Sequence, residues 1–170
     1  MSIDNCDVSF SDLATKTLPI YMTELRRAME NPHSMADYCS EGRGVRSILT
    51  SLGRKKDFSG CYVLLRNNNP FYVGISRSVV RRLRQHGKGK SHFDASLAYQ
   101  MASEKMPHKM SRVGAMANRD FRNAFDDART LIRDSRVAFM EIGNPLELYL
   151  FEAYCAMELD THEWNTFRTH

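Results

Sequence analysis

No apolar run in the sequence approaches the roughly 20 residues that a membrane-spanning helix needs, which excludes a helical transmembrane protein. The stretch "MSIDNCDVSFSDLATK" lacks the basic-then-apolar order of a secretion signal, so a cytoplasmic location is the expectation. The four cysteines, Cys6, Cys39, Cys61 and Cys155, form no CxxC pair and no Cys/His spacing of the kind that binds zinc. They read as reduced, buried thiols that behave as small hydrophobes. No internal repeat or low-complexity tract is visible. One further absence is local. Between Arg77 and Lys90 there is no acid, while six cations (Arg77, Arg81, Arg82, Arg84, Lys88 and Lys90) fall there. Against a net charge of only +4 such a cluster is either a solvated helix face or a grip for phosphates.

What is present is enough for one soluble core: 170 residues, 42% of them apolar. Residues 1–58 read as a helical N-terminal extension. Leu18, Tyr21, Leu25 and Met29 fall at helical spacing, "NPHS" breaks the run, and Val45, Ile48, Leu49 and Leu52 suggest a second helix. Residues 59–170 read as the main domain. "CYVLLR" at 61–66 and "FYVGI" at 71–75 are strands, and the Asn-rich turn between them favours an antiparallel hairpin. Ser76 or Ser78 can cap a helix that runs to about His86. A helical insert occupies about 87–134, with a helix marked by Phe93, Leu97 and Met101, an irregular stretch "MPHKMSRVGAMANR", and an amphipathic helix through Phe121, Phe125, Ala128 and Ile132. "SRVAFMEIG" is a third strand, and Pro145 opens a helix to about Leu159. The expected class is α+β, with a small mixed or antiparallel three-stranded sheet flanked by helices.

Chemistry concentrates at few positions. Glu152 shares a helix face with Leu148, Cys155 and Leu159, so its carboxylate must be paired, hydrogen-bonded or bound to metal, whereas Glu147 projects from nearly the opposite side. Arg82 and His86 are four residues apart on one face, a phosphate-matching fork beside a group that titrates near neutral pH. Two strand tyrosines, an Arg, a His and a semi-buried Glu suit phosphodiester hydrolysis, which needs an activated water, a cation at the phosphate and help for the leaving oxygen.

"GCY" at 60–62 and "YVG" at 72–74 resemble the signature of the GIY-YIG nucleases, with Cys61 in place of the usual aliphatic residue. The resemblance extends to Arg82, where the family places its catalytic Arg, and to "RRLRQH", with His86 where several members carry a catalytic His. It also extends to "LYLFEAYCAMELDTHEWN", similar to the family's metal-binding helix followed by an Asn, here Asn165. The implied fold is a GIY-YIG-like sheet with flanking helices, in a compact, stand-alone member. The implied activity is metal-dependent endonucleolytic hydrolysis of DNA by Tyr62, Tyr72, Arg82, His86 and Glu152. Glu152 would hold a single Mg²⁺ or Mn²⁺, Tyr62 would position or deprotonate the water, and Tyr72 or His86 would assist.

Candidate substrate contacts are Ser76, Arg77, Arg81, Arg84, Lys88, Lys90, His92 and Asn165. For His92 the preferred reading is that Ser91 and Asp94 cap the next helix, and Asn165 is read as tying down the C-terminal segment. Trp164 and Phe167 read as local packing and His33, His108 and His162 as surface residues. The partner is nucleic acid, DNA before RNA, with strandedness and monomer or homodimer undecided. The alternative is a catalytically inactive nucleic-acid-binding module of the same fold.

Overall fold

A computed structural model of the chain describes residues 2–167; Met1 of the extension and the last three residues of the 59–170 domain lie outside the described residues. A short helix α1 (Phe10–Asp12) leads through a π-helical turn at Leu13–Thr17 into α2 (Leu18–Glu30). Strand β1 (His33–Ser34) and helices α3 (Met35–Cys39) and α4 (Val45–Ser51) precede the hairpin of β2 (Gly60–Arg66) and β3 (Asn69–Ser76). Helix α5 (Val79–Lys88) is followed by α6 (Ser96–Lys105), α7 (Arg112–Ala117) and α8 (Arg119–Arg133), and the chain closes with β4 (Arg136–Glu141) and α9 (Pro145–Glu158).

The sheet is antiparallel in the order β1-β4-β2-β3, so the α+β reading stands and one strand joins the three expected. The newcomer is β1, whose His33 and Ser34 pair with Val137 and Arg136. Two residues leave no periodicity to read, and the same "NPHS" that breaks the helix supplies them.

The central strand β2 is buried on both faces as far as Leu65, as its unbroken apolar run requires. Tyr62 and Leu64 join Val137 under α3, α4, α5, α6 and α8, whereas Cys61, Val63 and Leu65 join Val73 and Ala138 under α2 and α9. Three layers result. The 1–58 segment contributes to both outer ones, and the Tyr21 hydroxyl in α2 donates to Glu147 Oε2 in α9 at 2.6 Å.

The hairpin turns on Asn67 and Asn68, both left-handed (φ 52° and 64°), as a two-residue loop matched to strand twist demands. The ladder is irregular between Leu64 and Leu65, which face Tyr72 and Pro70, so Phe71 is a bulge residue. Pro70 is tolerated because β3 is an edge strand.

Helix α5 is capped differently from the expectation. Ser78 occupies the N-cap position without a side-chain bond, and Ser76 Oγ accepts only from the Ser78 amide. The carboxylate of Asp57 takes the role from outside the helix, accepting from Val80 N at 2.9 Å and Arg81 N at 3.0 Å. A carboxylate there satisfies two orphan donors and faces the positive end of the helix dipole.

The insert also departs from its reading in three places. Helix α7, N-capped by Ser111, lies within the stretch read as irregular. Helix α6 begins only at Ser96, leaving Phe93 outside it and 75% exposed, and Ser91 and Asp94 bond each other in the preceding turn instead of capping α6. His108 is half-buried and not a surface residue, because its ring meets Phe121 edge-on at 4.9 Å.

Replacing Asp57 by Ala should cost about 1–2 kcal/mol and lower the melting temperature by roughly 2–8 °C. An unchanged melting curve would mean that the carboxylate contributes nothing as a cap.

Candidate active site

The site begins with the hairpin register. Tyr62 pairs with Gly74 and Leu64 with Tyr72, which places both tyrosines on the sheet face that α5 covers. The ring of Tyr62 lies over the bare backbone of Gly74, where any β-carbon would collide with its hydroxyl. So laid, the Tyr62 hydroxyl reaches Nε2 of His86 at 2.6 Å, one turn beyond Arg82 on α5. The rings of Tyr62, Tyr72 and His86 form a triangle with centroid separations of 6.3, 5.6 and 5.8 Å.

Depth sorts these groups. Tyr62 and His86 are fully buried, whereas Tyr72, Arg82 and Glu152 are half-buried. Burial holds His86 well below the ordinary imidazole value of 6.5, with the nearby Arg82 charge acting in the same direction, so the ring is neutral. Burial also pushes the Tyr62 phenol well above 10, and the Arg82 charge only partly offsets this. A phenol so raised, fully buried and bonded to His86, is ill suited to deprotonate a water. Tyr72 is raised in the same way by burial, with Arg82 opposing and Glu152 reinforcing the shift.

Arg82 is held by neutral acceptors. Its guanidinium donates to the Asp94 carbonyl at 2.9 Å and to Ser96 Oγ at 2.8 Å. Among the described residues no carboxylate pairs with it, so its charge is oriented without being neutralised. Three of its five N–H donors remain.

Glu152 comes from the other layer. Helix α9 packs across β3 and β2 and buries Leu148, Phe151 and Cys155, while Glu152 stays at the half-buried margin of that stripe. Its charge reaches across the sheet to raise Tyr72 and Tyr62, and desolvation lifts its own carboxyl above 4.5. Among the described residues no hydrogen bond or ion pair takes up this carboxylate, and no set of three His, Cys, Asp or Glu side chains gathers there. One unpartnered carboxylate fits a hard divalent ion that keeps most of its waters, as Mg²⁺ does.

The six cations of 77–90 do not form a single patch. Arg77, Arg81 and Lys90 are exposed, whereas Lys88 points to α3 and donates to the Ser40 carbonyl at 3.4 Å. Arg84, with a buried, unpartnered Nε, lies with Lys88 near Cys39, away from Arg82. His92 is buried against Phe93 and Tyr99 at 4.1 and 5.7 Å, which keeps it from a substrate surface. Asn165 is committed to the backbone of Val73. Its Oδ1 accepts from the amide at 2.8 Å and its Nδ2 donates to the carbonyl at 2.7 Å, tying the C-terminal segment to β3. Asp57, Asp94 and Ser96 were missed as supports of α5 and Arg82. They act through tertiary contacts of 12–24 residues' separation, which no local spacing reports.

In comparison with known proteins, residues 58–119 match the family model described as the GIY-YIG catalytic domain. The match spans the hairpin, α5, α6 and α7 and ends before Glu152 and Asn165. No curated protein and no solved structure matches the chain.

Because His86 is neutral when folded and takes up a proton when unfolded below about 6.5, it stabilises the fold above that pH. Its contribution falls as pH drops, by up to about 1.4 kcal/mol per pH unit. In denaturant unfolding between pH 7 and 5, His86→Gln should therefore lose stability less steeply than the parent, by about one proton. Equal slopes would show that His86 titrates normally.

Proposed function

This chain belongs to the GIY-YIG nuclease superfamily, and we propose on that premise that it is a divalent-metal-dependent endonuclease that hydrolyses DNA phosphodiester bonds. The observation that carries the reading is the convergence of Tyr62, Tyr72, Arg82 and His86 on one sheet face, with the unpartnered carboxylate of Glu152 coupled to the tyrosines from the other.

The half-buried Tyr72 meets the attacking water and orients it. Tyr62 and His86, buried behind it, fix the tyrosine cluster, and the penalty on an imidazolium there argues against His86 as the resting place of the water's proton. Arg82, unopposed by any described carboxylate, uses its remaining donors on the phosphate oxygens as charge builds in the transition state. Glu152 would hold one Mg²⁺ or Mn²⁺, which when bound supplies positive charge at the leaving oxygen. Arg77, Arg81 and Lys90 are exposed and suited to flanking phosphates.

Glu152→Gln and Arg82→Ala should each reduce cleavage of labelled DNA by about 100-fold or more, with melting temperatures near that of the parent. EDTA should stop cutting, and added Mg²⁺ or Mn²⁺ should restore it. Unimpaired cutting by either variant refutes the site, and cutting in EDTA refutes the ion. A parent protein that binds DNA but cuts no single-stranded, duplex or branched form supports an inactive binding module instead.

A further inference from the structure

The helical insert carries a depression of about 380 Å³, a volume within the usual range of small-ligand sites. Its lining includes Ser96, Tyr99, Gln100, Glu104, Arg112 and Thr166. One wall belongs to the candidate active site, since Ser96 Oγ is the acceptor that holds the Arg82 guanidinium. That hydroxyl receives a hydrogen bond from Arg82 and keeps its own proton to give. A phosphate bound by Arg82 therefore lies beside the opening of this depression.

The remaining groups are those that grip a flat heteroaromatic ring. The guanidinium of Arg112 stands 5.4 Å from the centroid of the Tyr99 ring, and among the described residues no acid pairs with it. The Tyr99 ring is buried beneath it, so the exposed outer plane of the Arg112 guanidinium is the surface on which a base can stack. The Tyr99 ring is itself fixed, packed on Phe121 at 5.2 Å with its hydroxyl 3.3 Å from His108 Nε2. Gln100 gives its amide nitrogen to the Trp164 carbonyl, which leaves its own carbonyl oxygen as an acceptor. Glu104, exposed and without an ion pair among the described residues, adds a carboxylate. Acceptors, hydroxyl donors and an exposed guanidinium plane are what a free base calls for. A base inside a duplex has its pairing edge occupied and its faces covered, so it cannot enter unless it leaves the stack.

We propose that this depression seats an unpaired nucleobase of the substrate, from the nucleotide next to the phosphate held at Arg82, and that the substrate is single-stranded or locally unpaired there. The inference rests on the nuclease reading above for the position of the phosphate.

The test is binding in EDTA, so that no strand is cut. A labelled single-stranded DNA of mixed sequence is compared with an abasic oligonucleotide of equal length, which keeps the phosphates and lacks the bases. The protein's single tryptophan, Trp164, whose carbonyl is held by Gln100 of the depression, supplies a second signal. The base-bearing strand should bind about tenfold tighter than the abasic one and change Trp164 emission. Arg112→Ala should weaken the base-bearing strand about five- to tenfold, towards the abasic value, and leave the abasic strand unchanged. Because Arg112 is exposed, the variant should melt as the parent does. Arg112→Lys, which keeps the charge and loses the plane, should behave like the alanine variant.

Equal affinity for the two strands overturns the proposal, and so does an Arg112→Ala loss shared by both or full rescue by lysine. Cutting in Mg²⁺ without base discrimination defeats the base site alone. Base discrimination without any cutting defeats the nuclease reading alone. Absence of binding to any strand defeats both.

Discussion

The constraint on which the site depends is steric: Tyr62 can lie across β3 only because Gly74 has no side chain. With a β-carbon at 74 the phenol would have to lift off the strand, and its 2.6 Å contact with His86 would be lost. That contact ties α5 to the sheet beside the packing of Val79, Val80 and Leu83. Arg82 lies one turn before His86, so the same contact brings its charge within reach of both tyrosines. A second close approach works in the same sense: a β-carbon at Gly87 would strike Cys39 of α3, so α5 is seated tightly at both the sheet and its neighbouring helix. Asp57 settles the start of the helix by meeting the amides of Val80 and Arg81. Helix α5 is thus held at three separate points, against the sheet, against α3 and at its N-terminus.

The electrostatics follow from who the neighbours are. Arg82 is aimed by a carbonyl and a hydroxyl, groups that orient a cation without cancelling it. Among the described residues, the one carboxylate whose charge is felt at both tyrosines, Glu152, is brought by a helix on the opposite face and has no partner. Had Arg82 and Glu152 been close partners, each would have satisfied the other and neither would retain charge for a ligand. Separation by the sheet keeps a positive and a negative group available around the same pair of rings. Burial of Tyr62 and His86 as neutral groups fills the space between without adding charge of its own.

Much of this is legible in the sequence, for reasons that can be named. Tyr62, Tyr72, Arg82 and His86 lie within one hairpin and the helix that follows it, where strand alternation and helical pitch dictate which residues share a face. The hairpin, α5, α8 and α9 appear where the apolar periodicity puts them. What escaped depends on contacts between distant parts. Strand β1 is two residues long, the cap of α5 comes from a loop before the hairpin, and the partners of Arg82 lie in the insert. The basic run reads as one cluster along the chain, yet the helix distributes it around its circumference, so that Lys88 faces α3 while Arg82 faces α6. His92 reads as an available imidazole, but the turn that carries it folds inward onto Tyr99.

The tie between Asn165 and Val73 has a consequence outside the site. β3 is the open edge of the sheet, and its backbone at Val73 points both an N–H and a C=O outward. The Asn165 amide offers one acceptor and one donor to these groups, as a residue of an adjoining strand would. Pro70, lacking an N–H, withholds another ladder position on the same strand. An edge closed in this way is a poor template for a strand of another molecule, so the residue that fastens the C-terminal segment also guards the sheet against edge-to-edge polymerisation.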